Sequence, residues 1–291
     1  MFYRIPEINY FRASTLEEAL ELISKLESVK VLAGGSDLLI DLKIRRYEVK
    51  NVVDISGIKE LNYVEDRGDH VVIGAATKLQ EIVESPIIAA KAPVLAEAVN
   101  EMASWQVRNV ATIGGNICNA SPAADTAPPL LVLNARLRLV SLGGEREVPI
   151  TEFFLGPRKT VLRKGELLKE IVVPYERGAG ASFIKLGRRN AFTLSVVAVA
   201  TLVKVRNGIF DDVRVALNSV APKPVRAASV EKFLKSREIS MSAIEEGAKR
   251  VLQDISPISD VRASAEYRKE MSVVLTKESL LRSLERAGVK L

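Results

Sequence analysis

The chain has 291 residues, 47% of them apolar and 27% charged, with a net charge of +6 and a pI near 9.3. Domains run to roughly 100–200 residues, so this length predicts two, and the composition excludes a wholly disordered or collagen-like chain. The single cysteine, Cys118, excludes an internal disulfide and, with the single histidine, His70, cannot build a zinc or iron–sulfur cage, so any redox or metal chemistry must come from an organic cofactor or another chain.

Met1 to Pro6 lacks the charged and apolar run of a secretory signal, and no stretch approaches the roughly 20 apolar residues that span a bilayer. The expected compartment is the cytoplasm. Residues 1–200 carry 25 basic and 24 acidic side chains, whereas residues 201–291 carry 17 and 12. This C-terminal excess is interleaved with acids at helical spacing, as in Glu266-Tyr267-Arg268-Lys269-Glu270, which predicts a solvated helix face rather than a nucleic-acid footprint. Aromatic residues, 5% of the chain, do not cluster among its lysines and arginines as a nucleic-acid surface would require.

Along the chain, Ser14-Thr15-Leu16-Glu17-Glu18 carries a capping-box pattern and opens an amphipathic helix over 16–26. Strands follow at Val29 to Ala33 and Asn51 to Ile55. Short strands at 63–64 and 70–73 flank the turn Asp66-Arg67-Gly68-Asp69. A helix is predicted from about Pro86 to Ser104, and the Gly-, Asn-, Ser- and Pro-rich segment 111–129 reads as loop, with a helix starting near Pro128. Strands resume at 135–140 and around 168–173, and Pro174 to Gly178 marks a domain boundary. Beyond it, Arg206-Asn207-Gly208 between two β-type runs predicts a type I′ hairpin, and helices are expected at 228–236, 241–255 and 263–287.

Two loops look built to hold a phosphate. Val31-Leu32-Ala33-Gly34-Gly35-Ser36-Asp37-Leu38 follows a strand, and consecutive glycines let amides converge on an anion without an intruding Cβ. Thr112-Ile113-Gly114-Gly115-Asn116 repeats the Gly-Gly pair with a hydroxyl and an amide side chain, and its segment ends in the acid Asp125. Two such loops suit the two sides of a pyrophosphate, hence a dinucleotide. No G-x-G-x-x-G or G-x-x-x-x-G-K-[ST] is present, so neither a Rossmann nor a P-loop site is supported. Ser182-Phe183-Ile184-Lys185 matches S-x-x-K without its companion elements and carries no argument.

Leu32-Ala33-Gly34-Gly35-Ser36-Asp37-Leu38-Leu39, Ile73-Gly74-Ala75-Ala76-Thr77, Thr112 to Ile117, Ser121 to Pro128, Lys185-Leu186-Gly187-Arg188-Arg189, Ala221 to Ala227 and Ser264 to Arg268 occur in one order over nearly the whole chain. With them the chain resembles the FAD-binding medium subunit of the xanthine dehydrogenase and carbon monoxide dehydrogenase family of molybdenum hydroxylases. The resemblance implies an α+β fold: a two-lobed FAD-binding domain of the vanillyl-alcohol-oxidase (PCMH) type over 1–177, with lobes of about 1–57 and 58–177, then a smaller domain of antiparallel sheet plus helices over 178–291. It implies FAD here, [2Fe–2S] clusters in a small partner subunit and molybdopterin in a large one, in a dimer of heterotrimers. Electrons would pass from the clusters through FAD to an external acceptor, and one cysteine agrees with clusters held elsewhere.

By the same resemblance, Val31 to Leu38, Gly74, Ala75, Thr112, Gly114, Gly115 and Asn116 contact the cofactor. Asp125 accepts hydrogen bonds from its ribose or adenine, or else caps a helix, and Leu168 packs near the flavin. Lys185 is a cation near the ring's pyrimidine edge, or else part of a surface ion pair. No catalytic side chain and no metal ligand are assigned to this chain. The substrate expected of the holoenzyme is an aldehyde such as glyceraldehyde; carbon monoxide and xanthine-type substrates, and a stand-alone FAD oxidoreductase, are the alternatives. Trp105, Gln106 and Cys118 read as structural and His70 as a surface residue.

Overall fold

The computed structural model describes residues 4–291; Met1 to Tyr3, where the reading of the N-terminus begins, lie outside the described residues. The first unit contains β1 (Asn9–Arg12), α1 (Leu16–Lys25), β2 (Val29–Leu32), α2 (Leu38–Lys43) and β3 (Asn51–Asp54), with a parallel sheet in the order β1-β3-β2. The cap of α1 is the one its sequence predicts: Thr15 accepts from the Glu18 amide while Glu18 accepts from the Ser14 amide. Ala19, Leu20 and Ile23 form its buried face.

The second unit opens with the hairpin of β4 (Val64–Asp66) and β5 (His70–Gly74), turned by Gly68 at φ +87°. Six helices follow: α3 (Leu79–Glu84), α4 (Pro86–Lys91), α5 (Pro93–Asn100), α6 (Trp105–Arg108), α7 (Ile113–Asn119) and α8 (Ala127–Val132). Then come β6 (Arg136–Ser141), β7 (Gly144–Pro149), α9 (Ile150–Phe153), the small pair β8 (Phe154–Gly156) and β9 (Lys159–Thr160), and β10 (Leu167–Pro174). The antiparallel sheet has the order β4-β5-β10-β6-β7.

Two expectations are corrected here. The helix predicted over 86–104 is broken, because Pro93 has no amide to donate and starts a new helix, so α4 and α5 meet at Ala92. The segment 111–129 is not wholly loop. Thr112 caps α7 by accepting from the Gly115 amide, and Pro128-Pro129 sit in the first turn of α8, where no amide is needed.

The C-terminal sheet, β11 (Gly180–Gly187), β12 (Ser195–Arg206), β13 (Ile209–Asn218) and β14 (Val225–Arg226), is antiparallel in that order. Asn207 (φ +51°) and Gly208 (φ +76°) are both left-handed, as the hairpin prediction requires. Helices α10 (Ala228–Leu234), α11 (Met241–Lys249) and α12 (Ala265–Arg286) complete the chain. The sheet packs on α12 and, toward the second unit, on α5 and α8. Phe183, Ala198, Ala200 and Leu202 share one apolar core with Leu95, Val99 and Leu130, so packing continues across the Pro174–Gly178 link. No helix among the described residues is long and apolar enough to cross a membrane.

Arg268 departs from its expected place on a solvated face: it is 1% exposed. Its Nη1 donates to the carbonyls of Val196 (2.9 Å) and Ser219 (2.7 Å), and its Nη2 to Asp260 (2.8 Å). Periodicity missed it because the buried acceptors lie on β12 and after β13, far away in sequence. Its neighbours do follow the pattern, with Lys277–Glu245 and Arg282–Glu278 as exposed pairs. Replacing Arg268 with Met strands two buried carbonyls and should cost on the order of 2–4 kcal/mol in thermal or urea unfolding. Lys269→Met, on the exposed side of the same turn, should stay within about 0.5 kcal/mol.

Candidate functional site

Three backbone segments meet at one place, and glycine is what lets them. A Cβ on Gly34 would lie 2.1 Å from the Val110 carbonyl oxygen, one on Gly114 would lie 2.5 Å from that of Ala75, and one on Gly74 would lie 2.4 Å from that of Leu61. Main-chain bonds lock the contact: Gly114 N–H to Ala75 O (2.9 Å), Ile113 N–H to Thr77 O (3.0 Å) and Ala75 N–H to Lys169 O (2.9 Å). The Ala75–Lys169 bond continues the β5–β10 ladder one residue past the Gly74–Glu170 pair. Gly34 and Gly114 thus use their missing Cβ to touch neighbouring backbone rather than to leave room for an anion. Gly35 (φ +70°) turns the chain, and Gly115 is exposed, with only Thr112 Oγ1 near its Cβ position, at 2.9 Å.

Between the loops runs a cleft of about 280 Å³. Val31, Ala33, Gly34, Gly35, Ser36, Asp37 and Leu38 line one wall, Ala75, Thr112, Gly114, Gly115 and Asn116 another, and Leu168 joins them. It adjoins a second cavity of about 750 Å³ through shared lining by Ser36, Asp37 and Asn116. Asp125 faces that second space, as do Arg188, Arg189 and Phe192 of the β11–β12 connection. Leu32, Gly74 and Lys185, also expected at the cofactor, line neither cavity.

The two loops differ in what they offer. The amides of Gly34, Gly35, Ser36 and Asp37 donate to no described residue, so four N–H groups remain unsatisfied beside the cleft. In the second loop four of the five amides are taken, all but that of Thr112: Ile113 donates to Thr77, Gly114 to Ala75, Gly115 to the Thr112 hydroxyl and Asn116 to the Thr112 carbonyl. That loop presents side chains, chiefly Asn116, whose Oδ1 accepts from Thr126 at 2.6 Å and whose orientation is thereby fixed. Burial, reinforced by Asp41 and opposed by Arg158, pushes the Asp37 carboxyl above its usual range.

Asp125 and Lys185, which the sequence treated separately, form one buried ion pair at 2.8 Å. Asp125 also accepts from Ser195 Oγ (2.5 Å) and Asn218 Nδ2 (2.7 Å), while Lys185 Nζ donates to the Glu101 carbonyl (2.9 Å). The pair joins the segment before α8 to β11, β12 and β13. No side-chain cap is seen on α8, whose cap residue is Thr126.

Arg188 and Arg189 are braced on carbonyls of Val261, Ala191 and Phe192, and Phe192 itself is exposed. Trp105, expected to be structural, is 59% exposed. His70 pairs with Asp69 at the turn, as a surface residue would. Burial pushes the Cys118 thiol up to about 12, favouring its protonated form.

Sequence reasoning missed Lys30, Asp41, Tyr47 and Arg158, which line the far end of the cleft. The only local signal was a basic residue in the turn Gly156-Pro157-Arg158, too common to single out. Of the charged pairs, Asp125–Lys185 is the most deeply buried. Lys185→Met should leave an uncompensated carboxylate and cost about 3–5 kcal/mol, with Asp125→Asn in the same chain restoring part of it. Simple additivity of the two losses in thermal unfolding would refute the coupling.

Comparison with known proteins places these features in a family. The family described as FAD binding domain in molybdopterin dehydrogenase matches residues 6–176, and that described as CO dehydrogenase flavoprotein C-terminal domain matches residues 182–283. The glyceraldehyde dehydrogenase medium chain of Sulfolobus acidocaldarius is 37% identical, over 93% of this chain and 96% of its own. The putative xanthine dehydrogenase FAD-binding subunit XdhB of Escherichia coli (strain K12) is 35% identical, over 97% and 98%. The solved carbon monoxide dehydrogenase of Hydrogenophaga pseudoflava superposes with a TM-score of 0.94 at 33% identity, covering 97% of this chain and 99% of that one. The chain belongs to the FAD-binding medium subunits of the molybdenum hydroxylases, the oxidoreductase component that works beside a small and a large subunit.

Proposed function

We propose that the cleft between the two glycine loops is where this subunit holds FAD. The reading rests on the four unpartnered amides of Gly34 to Asp37, a donor row of the kind that satisfies a diphosphate, facing side chains fixed on α7. Ser36 and Thr112 add hydroxyls, Asn116 adds an amide, and Ala75 with Leu168 gives the cleft its apolar part. The larger cavity beside Asp125 gives the remaining length of the dinucleotide a place. Lys185 supports that wall through Asp125, and its charge bears on whatever ring lies there. In domain terms we assign FAD binding to 1–177, with lobes of about 1–57 and 58–177, and a C-terminal flavoprotein domain to 178–291.

Bound FAD supplies an exchange of electrons between a partner's [2Fe–2S] clusters and an external acceptor. The chain's own part is to bind and orient the cofactor and to keep Cys118 protonated beside it. We place the subunit in a cytoplasmic dimer of heterotrimers with a small [2Fe–2S] and a large molybdopterin subunit. The holoenzyme substrate we favour is an aldehyde, supported by the 37% identity to a glyceraldehyde dehydrogenase medium chain. The fit to carbon monoxide dehydrogenase favours a second reading, with carbon monoxide as substrate.

The purified chain should be yellow or become so with FAD, and a colourless chain that takes up no added FAD would end the reading. Gly115→Val, which places methyl groups at an exposed point of the cleft, should cut FAD retention tenfold or more, the equivalent of about 1.4 kcal/mol, with only a small loss in unfolding midpoint from displacing the capping Thr112 hydroxyl, 2.9 Å from its Cβ position. Gly34→Ala and Gly114→Ala should instead lower the midpoint of the FAD-free chain, because their Cβ atoms meet backbone. Copurification with both partners followed by assays with glyceraldehyde, carbon monoxide and xanthine decides among the substrates.

A further inference from the structure

Asp41, on α2, is buried at 4% exposure and sits between two guanidinium groups. Arg46 Nε lies 2.8 Å from its Oδ1, and Arg158 Nη1 lies 2.6 Å from its Oδ2. The same Nη1 reaches Asn119 Oδ1 at 3.2 Å and Tyr47 Oη at 3.3 Å. These partners come from separate parts of the chain. Asp41 is on the helix that follows the first glycine loop, Asn119 ends the helix that begins at the second, and Arg158 lies between β8 and β9.

Among the described residues, the side-chain hydrogen bonds that cross from residues 4–57 to the rest of the chain are those of Arg158 to Asp41 and Tyr47. The other ties between the two lobes are apolar packing and the backbone contact at Gly34. Arg158 is also held firmly. Its amide donates to the Ala120 carbonyl at 2.9 Å, and both residues keep left-handed backbone, at φ +58° and +47°. Such conformations cost on the order of 1 kcal/mol or more each for residues with a Cβ and persist only where the surroundings impose them. All three contacts are made by the one nitrogen Nη1, at the end of a side chain longer and more rigid at its tip than lysine's.

We propose that Arg158 is a positioning residue for FAD, clasping α2 to the end of α7 so that the two glycine loops stand at the separation that grips the diphosphate. The inference rests on the cleft being the FAD site. It follows from the asymmetry of the loops: the second is locked by its own hydrogen bonds, so the grip depends on where the first is held, and Arg158 is the polar tie that holds it.

The test is titration of the full-length, FAD-free chain with FAD and, separately, with ADP, which carries the diphosphate without the flavin. Arg158→Ala should weaken both ligands about tenfold or more, in parallel, and Arg158→Lys should recover only part of that loss. Asp41→Asn should weaken both in the same direction, and combining it with Arg158→Ala should add little, because the two changes break one tie. Should Arg158→Ala fail to fold, Arg158→Lys and Asp41→Asn carry the same comparison. Wild-type affinity in the variants overturns the clasp, as does loss in Arg158→Ala with none in Asp41→Asn, which would make Arg158 a direct cofactor contact. A wild-type chain that binds no FAD overturns the site itself, and the clasp with it, before any variant is read.

Discussion

The site depends on backbone touching backbone. At Gly34 and Gly114 a single methyl group would collide with a neighbouring main-chain oxygen, so the loop after β2, the turn after β5 and the start of α7 meet only where the side chain is a hydrogen atom. Everything else about the cleft follows from that contact. It joins the two lobes at Gly34 and takes up the Gly114 amide, while the amides of Gly34 to Asp37 donate to no described residue. An unsatisfied row of amides is costly unless a ligand or water meets it. The contact that builds the cleft therefore leaves a row of free donors beside it.

Charge is arranged around this frame rather than within it. Asp125 and Lys185 are buried together and tie the second unit to the C-terminal sheet, while Asp41 is held by two arginines at the opposite end of the cleft. Both carboxylates are buried, so either would be destabilising without its cationic partner. The cleft and the cavity beside it thus have an electrostatic anchor on each side, one between the lobes and one toward the last domain. An electron-transfer subunit gains from such rigidity, because the bound cofactor has to stay at a fixed separation from its neighbours.

The C-terminal part shows how a polar residue can belong to the core. Arg268 lies in a stretch of alternating charges that reads as surface, yet it satisfies carbonyls on two strand segments and a carboxylate at once. Ser182, Thr201, Ser279 and Ser283 likewise hydrogen-bond to one another where α12 crosses β11 and β12. Small hydroxylated side chains let that helix approach closely enough that a Cβ on Gly180 would fall 2.0 Å from the Ser283 carbonyl oxygen. Hydropathy periodicity cannot find such positions, since it counts polarity and not the acceptors waiting across an interface.

Local chemistry made several features legible in the sequence: the cap of α1, the Asn-Gly hairpin between β12 and β13, the proline at the start of α4, and the two glycine loops. Each is decided by residues a few positions apart, through positive φ, a missing amide or a side chain that reaches its own backbone. The family is legible for a related reason, because these short signals recur in one order along the chain. What the sequence could not decide was which glycines pack and which stay open, that Asp125 and Lys185 are one pair, and that Arg158 bridges Asp41 and Asn119. Those facts depend on groups dozens of residues apart, brought within hydrogen-bonding distance only when the lobes close on their shared cores, so only the tertiary structure determined them.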